Sequence, residues 1–402
     1  MTESISEPIS YLQHWDRTDP FDPPAVLTEL LGTQPLARMV YPDGHVGWLA
    51  TNQELAREVL SSQAFSHNFH TAHVPVTKRG EVFPSVPIVP GGFIHMDPPE
   101  HTRYRNVLSS EFGTRRMEAF APVVARMVGE RLADLREKGS PVDLLPTFIR
   151  PLSAEVLCDL IGIPLEDSAT LVALVDTTND ERYGLQEERE ATTKAYFYIL
   201  DLVGKARTAP GDDIIGRLAA LPELTDREIT NMIVIVFAAG FASCEAALGM
   251  SLLALLHHRD QLTAFRAAVE AGDEAPIEEL LRYTTVNQYQ IFRTALTDVR
   301  LGGELVREGD TVTVSLPTAN RDTARFACPE RLDLANDASG HLAFGYGAHA
   351  CVGQRLARLV MSEALTQLVL GLPGLALDVP LAEVQVRLRT SVLGPQRLPV
   401  RY

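Results

Sequence analysis

Between Met232 and Leu256 the 402-residue chain carries one ionisable side chain, Glu245. A run that apolar and long enough to span a bilayer has two fates. It crosses a membrane, or it lies in a core large enough to cover it on every side. It is the one such segment and no Lys/Arg cluster flanks it, so the buried core is the expected fate. Thr225-Asp226-Arg227-Glu228 is a capping box that starts the helix.

A helix covered all round needs helical neighbours, and the chain supplies them. Helical stretches are expected near 115–138, 151–160, 165–207 (broken), 213–219, 260–271, 276–283 and 351–372. Pro23-Pro24 opens a further helix that Gly32 closes. Leu36–Tyr41 and Val46–Ala50 flank Pro42-Asp43-Gly44-His45 and read as a hairpin. Thr51-Asn52-Gln53-Glu54 and Asp97-Pro98-Pro99-Glu100 read as helix starts, with Thr51 and Asp97 as the caps. Short strands are expected over 291–316 and in the tail, 384–402. The fold class is mainly α with small β-sheets, carried by residues 1–402 as a single domain.

Charge excludes some partners. With 36 Lys+Arg against 52 Asp+Glu the net charge is −16. A basic stripe is the usual footprint of nucleic-acid binding, and anionic membranes also favour basic surfaces. Neither partner is expected. Cys158, Cys244, Cys328 and Cys351 form no CxxC pair, which argues against zinc and for a reduced compartment. The N-terminus has neither a basic nor an apolar leader region. The expected location is the cytoplasm.

Residues 62–96 hold Pro75, Pro84, Pro87, Pro90, Gly80, Gly91 and Gly92 with little helical period. Loops of this length are usually functional lids or disordered. Val82, Phe83, Val86, Ile88 and Val89 argue for a packed lid.

The chemistry concentrates at Phe344-Gly345-Tyr346-Gly347-Ala348-His349-Ala350-Cys351-Val352-Gly353. A glycine-rich loop delivers one cysteine to the start of a long helix. Backbone N–H groups and the positive helix end there favour a thiolate.

Here the sequence resembles the cytochrome P-450 family of haem-thiolate monooxygenases. The family pattern is Phe, two residues, Gly, three residues, Cys, one residue, Gly. Phe344, Gly347, Cys351 and Gly353 match it. The resemblance implies haem b as cofactor with Cys351 as the axial ligand of its iron, where a thiolate favours O–O cleavage. Glu279-Leu280-Leu281-Arg282 matches the family's ExxR, a structural pair that fixes the cysteine loop. Asn320-Arg321-Asp322, Phe326 and Pro329 fit the stretch between the two motifs. His101, Arg105, Arg293 and His349 occupy positions that commonly hold the haem propionates, which need cationic donors.

The long helix departs from the family. Where Ala-Gly-x-(Glu/Asp)-Thr relays protons for oxygen activation, this chain reads Ala239-Gly240-Phe241-Ala242-Ser243. By resemblance Gly240 keeps the groove for dioxygen. Ala242 replaces the acid, and Ser243 still donates and accepts a hydrogen bond. Glu245 is either a proton source through water or a buried, paired carboxylate. The resemblance also places the substrate against Val82, Phe83, Val86, Ile88, Phe237, Phe241, Val286, Asn287, Gln288, Tyr289 and the turn at Ser391-Val392. Asn287 and Gln288 suit the amides or hydroxyls of a polar natural product, or else face solvent.

The implied activity is oxidation of a small organic molecule in secondary metabolism. It uses O2 and electrons from NAD(P)H through a ferredoxin reductase and a ferredoxin. Arg103, Arg115, Arg116, Arg355 and Arg358 are candidates for a basic docking patch. The alternative is oxidative C–C or C–N coupling of an aromatic or peptide-like substrate, such as a cyclodipeptide, without oxygen insertion. A haem-binding sensor is the third reading.

Overall fold

The computed structural model describes residues 7–11, 17–78, 80–83, 88–180, 182–288, 291–388 and 390–402. They form two compact units. The first comprises Met1–Ile88, Ile94–Pro98 and Glu278–Cys351, and the second Val89–Phe93, Pro99–Ile277 and Val352–Tyr402.

The first unit is built on a six-stranded sheet. Its spatial order is Ile9–Ser10, Leu36–Val40, Val46–Ala50, Thr311–Val314, Phe292–Ala295 and Phe65–Ser66. Leu36 pairs with Ala50 and Val40 with Val46 across the expected hairpin. Its turn places Gly44 at φ 87°, a left-handed conformation that suits glycine. Trp48, Ala50, Val312 and Val314 from the central strands share a core with Leu55, Val59 and Leu60 of the Gln53–Ser61 helix.

Two expected caps are corrected. Asn52, not Thr51, caps the Gln53–Ser61 helix, accepting from Leu55 N at 3.0 Å. The Thr51 hydroxyl instead donates to the Pro35 carbonyl at 3.1 Å, tying together the open ends of the two hairpin strands. Asp97 caps nothing. Its carboxylate accepts from the Ser66 hydroxyl and, at 2.7 Å, from His67 N.

The second unit is helical. Asp226–His257 is its axis, and Arg150–Ile161, Ser168–Asn179, Leu185–Thr208 and Gln354–Gly371 pack around it. Two-thirds of its most apolar window is buried inside the protein (67%), as expected for a core helix. The Thr225–Glu228 capping box forms, and Glu228 is also gripped by Arg103 and the Tyr104 hydroxyl at 2.5 and 2.6 Å. Near the far end a two-rung hairpin, Val386–Arg387 against Gly394–Pro395, lies along the long helix.

The lid expectation holds only in part. Phe83 packs against the core of the first unit and Phe93 is buried. Val82, Ile88 and Val89 are exposed, and Val86 lies outside the described residues.

Candidate functional site

The cysteine loop belongs to the first unit and is shaped by backbone geometry. Gly345 and Gly347 sit at φ 69° and 75°, left-handed values that strain residues bearing a Cβ. A Cβ on Gly347 would also strike the Leu60 carbonyl and approach Ser61 Cα to 3.1 Å. Phe344 is half-buried, with its ring 5.9 Å from that of His341. Its carbonyl accepts from Cys351 N at 2.8 Å, closing the loop. Cys351 is exposed and free of disulfides, whereas Cys158 and Cys244 are buried. Burial pushes the Cys158 thiol up to about 12. The following helix begins at Gln354 after Gly353, so Cys351 stands just before its first turn rather than within it.

The loop is braced from below. Glu279 and Arg282 are fully buried and paired twice, Nε to Oε2 at 2.7 Å and Nη2 to Oε1 at 2.8 Å. Arg282 also donates to the carbonyls of Asn320 and Pro329, both at 2.8 Å, and of Arg331 at 3.2 Å. Asn320 in turn accepts from Leu342 N at 2.7 Å. Hydrogen bonds therefore run unbroken from Glu279 to the base of the loop.

Two cationic positions accompany the cysteine in this unit. Arg293 is 4% exposed, and among the described residues its guanidinium donates only to the neighbouring Phe292 carbonyl and forms no ion pair. Burial drives it down to about 9, against a weaker opposing pull from Asp97. A buried guanidinium without a carboxylate calls for an anion. The His349 ring stacks on His67, centroids 3.3 Å apart.

In the second unit, His101 and Arg105 lie four residues apart on the Glu100–Glu111 helix and so share a face. On the long helix Ala239 and Ser243 are exposed, although most of their neighbours are buried. The Ser243 hydroxyl donates to the Ala239 carbonyl at 2.7 Å, leaving its lone pairs to accept.

Helical geometry corrects several expectations. Successive residues turn by about 100°. Phe237 and Phe241 therefore point away from the Ala239–Ser243 face. They are buried and stacked 5.9 Å apart, with Arg150 over Phe241. They are core residues, not pocket walls. Gly240 permits close helix packing: a Cβ there would meet Leu157 Cδ2 at 3.1 Å. Ala242 is buried. Glu245 is 2% exposed, turned about 200° from Ser243, and both its oxygens are taken. Arg150 donates to Oε2 and Arg387 to Oε1, each at 2.8 Å. A carboxylate held by two guanidiniums is a poor proton carrier, and the paired reading of Glu245 replaces the relay. Ala239, which the sequence reading passed over, shares the open face with Ser243.

Gln288 is also corrected. It is 1% exposed, its amide donates to Thr285 O at 2.7 Å, and its oxygen accepts from Arg17 at 2.6 Å. It clamps the backbone and has no amide group left for a ligand. Asn287 differs: its Oδ1 is buried with no hydrogen-bond partner among the described residues. Val286 and Val392 are half-buried. Val86 and Tyr289 lie outside the described residues. Of the basic residues, Arg103 is committed to Glu228, Arg116 pairs with Glu111 at 3.4 Å, and Arg358 bonds Gln354. Arg115 and Arg355 are exposed.

No group of three or more His, Cys, Asp or Glu side chains among the described residues is arranged to hold a bare metal ion. Within the first unit, an exposed cysteine and a buried guanidinium that forms no ion pair among the described residues suit a thiolate-ligated, anionic cofactor such as haem.

The comparisons agree with that chemistry. The family model described as Cytochrome P450 matches residues 274–371. Cytochrome P450 105C1 of a Streptomyces species is 36% identical over 389 residues, covering 96% of this chain and 97% of the relative. Nocardicin C N-oxygenase of Nocardia uniformis subsp. tsuyamanensis is 34% identical, covering 96% and 98%. The crystal structure of CYP105P1 in complex with filipin I superposes with a TM-score of 0.92 at 31% identity, covering 99% of both chains.

Proposed function

The chain belongs to the cytochrome P450 family, and from that premise we propose that it oxidises a polar natural product, with Cys351 holding the haem iron. It is a haem b monooxygenase of the kind found in bacterial secondary metabolism. The observation that carries the site assignment is the pairing, in one unit, of the exposed Cys351 thiol with the buried, anion-free guanidinium of Arg293.

Haem, when bound, supplies activation of dioxygen by its thiolate-ligated iron. The chain supplies the rest. Arg293 and His349 of the first unit would neutralise the propionates through charge-assisted hydrogen bonds, and His101 and Arg105 of the second unit are proposed for the same role. Phe344, Gly347 and Gly353 shape the loop that presents the sulfur, and Glu279 with Arg282 keeps it in place. Ser243 would pass a proton on at its Oγ by turning its hydroxyl hydrogen from Ala239 O toward the acceptor and taking a replacement proton from water. No acid precedes it, since that position is Ala242. Asn287 Oδ1 accepts a donor on the substrate, with half-buried Val286 beside it as apolar wall in the first unit and the turn at Val392 proposed as substrate wall in the second. Residues 1–402 act as one catalytic domain in the cytoplasm.

Electrons reach the haem from a ferredoxin and its NAD(P)H-dependent reductase. Arg115 and Arg355 are the exposed cations suited to an acidic partner. The relatives support natural-product substrates in kind: one is named for N-oxygenation of nocardicin C, and another binds filipin I.

The absence of an acid beside Ser243 is equally compatible with a second reading, in which the substrate supplies its own proton and is coupled oxidatively without gaining oxygen. Product mass distinguishes the two when candidate substrates are turned over with ferredoxin, reductase, NADPH and labelled dioxygen. Gain of one labelled oxygen is expected. Loss of two hydrogens with no label incorporated would establish coupling instead.

A further inference from the structure

We infer that Glu245 is a positioning residue for substrate selection, fastening the Val386–Pro395 hairpin to the long helix through Arg387. The inference rests on the reading above, in which the hairpin's turn at Ser391-Val392 meets the substrate.

All the groups involved belong to the second unit. The buried carboxylate gathers four elements. Arg150 approaches from the Arg150–Ile161 helix and bonds Glu245 Oε2, while its Nη2 holds Asp176 of the Ser168–Asn179 helix at 2.8 and 3.1 Å. Arg387 approaches from the hairpin and bonds Oε1. Each carboxylate oxygen thus receives one charge-assisted hydrogen bond, in surroundings where such bonds are strong.

The hairpin depends on that anchor. It has only two residue pairs, Val386 with Pro395 and Arg387 with Gly394, and a ladder so short is marginal by itself. Its position is therefore set by what holds it. Arg387 reaches Glu245 by crossing its own partner strand at Gly394. A Cβ on Gly394 would lie 2.9 Å from Arg387 Nη2 and 3.2 Å from Ala246 Cβ. Both are tighter than ordinary contact, so glycine leaves the gap through which the guanidinium passes. Beyond the anchor, Thr390 Oγ1 donates to the Val392 carbonyl at 2.8 Å and shapes the turn. Moving Arg387 therefore moves the segment that carries Val392. Glu245 faces away from Ser243, so it sets the wall without touching the reacting atoms.

The test uses the haem-loaded protein and two nitrogenous ligands read by the shift of the haem absorption band. Imidazole needs only the iron, whereas phenylimidazole also touches the pocket wall. In Glu245→Gln and in Arg387→Gln, phenylimidazole affinity is expected to fall by about fivefold or more, roughly 1 kcal/mol, with imidazole affinity and haem content unchanged. Arg387→Gln leaves the Arg150–Glu245 pair intact and so guards against a folding failure of the first variant. Gly394→Ala keeps every charge and should give the same selective loss. Unchanged phenylimidazole affinity in both Gln variants, or equal weakening of the two ligands, would overturn the proposal. The imidazole shift of the unsubstituted protein reads the haem site alone, so a failure of the haem reading is distinguishable from a failure of this one.

Discussion

Removing one partner of the Glu279–Arg282 pair tests how the cysteine loop is supported. Both residues are fully buried and share two hydrogen bonds of 2.7 and 2.8 Å. Breaking such a pair from one side costs about 3–5 kcal/mol because an uncompensated charge remains. That is a large share of the ~5–15 kcal/mol that keeps a typical protein folded. Glu279→Gln should show this loss. Arg282→Met should lose more, since it also strips the carbonyls of Asn320, Pro329 and Arg331 of their donor, each worth about 1–3 kcal/mol when left bare. The double variant leaves no buried charge. Its loss should therefore fall short of the two single losses combined by about 3 kcal/mol, the upper end of measured couplings. Urea unfolding followed by circular dichroism, with haem content measured alongside, gives all three values. Strictly additive losses would refute the pair as a coupled unit, and a minor loss in Arg282→Met would refute its role as the donor to three chain segments.

Arg293→Ala should weaken haem retention in a gel-filtration or apomyoglobin transfer assay by roughly 1.5–3 kcal/mol, the worth of a hydrogen bond to a charged group; unchanged retention would show that the propionates are held elsewhere. Ser243→Ala should reduce turnover by no more than about 10²-fold, the lower end of a general acid–base contribution, with haem content and ligand binding normal. Burial alone would raise the Glu228 carboxyl, but hydrogen bonds from Arg103, Tyr104 and Thr225 outweigh it and bring it from 4.5 to about 2. A depressed carboxylate stabilises above its unfolded value and loses that contribution as pH falls toward the folded one. The stability gap between the unsubstituted protein and Glu228→Gln should therefore be full at neutral pH, narrow below about pH 4.5 and close near pH 2; a gap that is flat over that range in acid titration would contradict the assignment.

Much of the fold was legible because its signals are local. The Thr225–Glu228 cap, the Leu36–Ala50 hairpin and the punctuated 62–96 loop each declare themselves within a few residues. The Cys351 loop did so too, since its glycines answer to left-handed backbone. What escaped depends on partners distant in sequence. Asp97 looks like a cap until Ser66 and His67 claim it, and Gln288 looks free until Arg17 does. Glu245 left two readings open because the two arginines that decide between them lie 95 residues before it and 142 after it. Phe237 and Phe241 were misplaced for another reason. Composition marks them apolar, but only the helix phase relative to Ala239 and Ser243 says which way they face.

The central claim is that Cys351 is the thiolate ligand of haem iron. It is tested most directly by the absorption spectrum of the dithionite-reduced protein under carbon monoxide, in the unsubstituted chain and in Cys351→His. The unsubstituted chain should give the long-wavelength band characteristic of thiolate ligation, as should the Ser variants of Cys158, Cys244 and Cys328. Cys351→His should lose that band while still binding haem. Persistence of the band in Cys351→His, or its loss in one of the other cysteine variants that retains haem, would contradict the account.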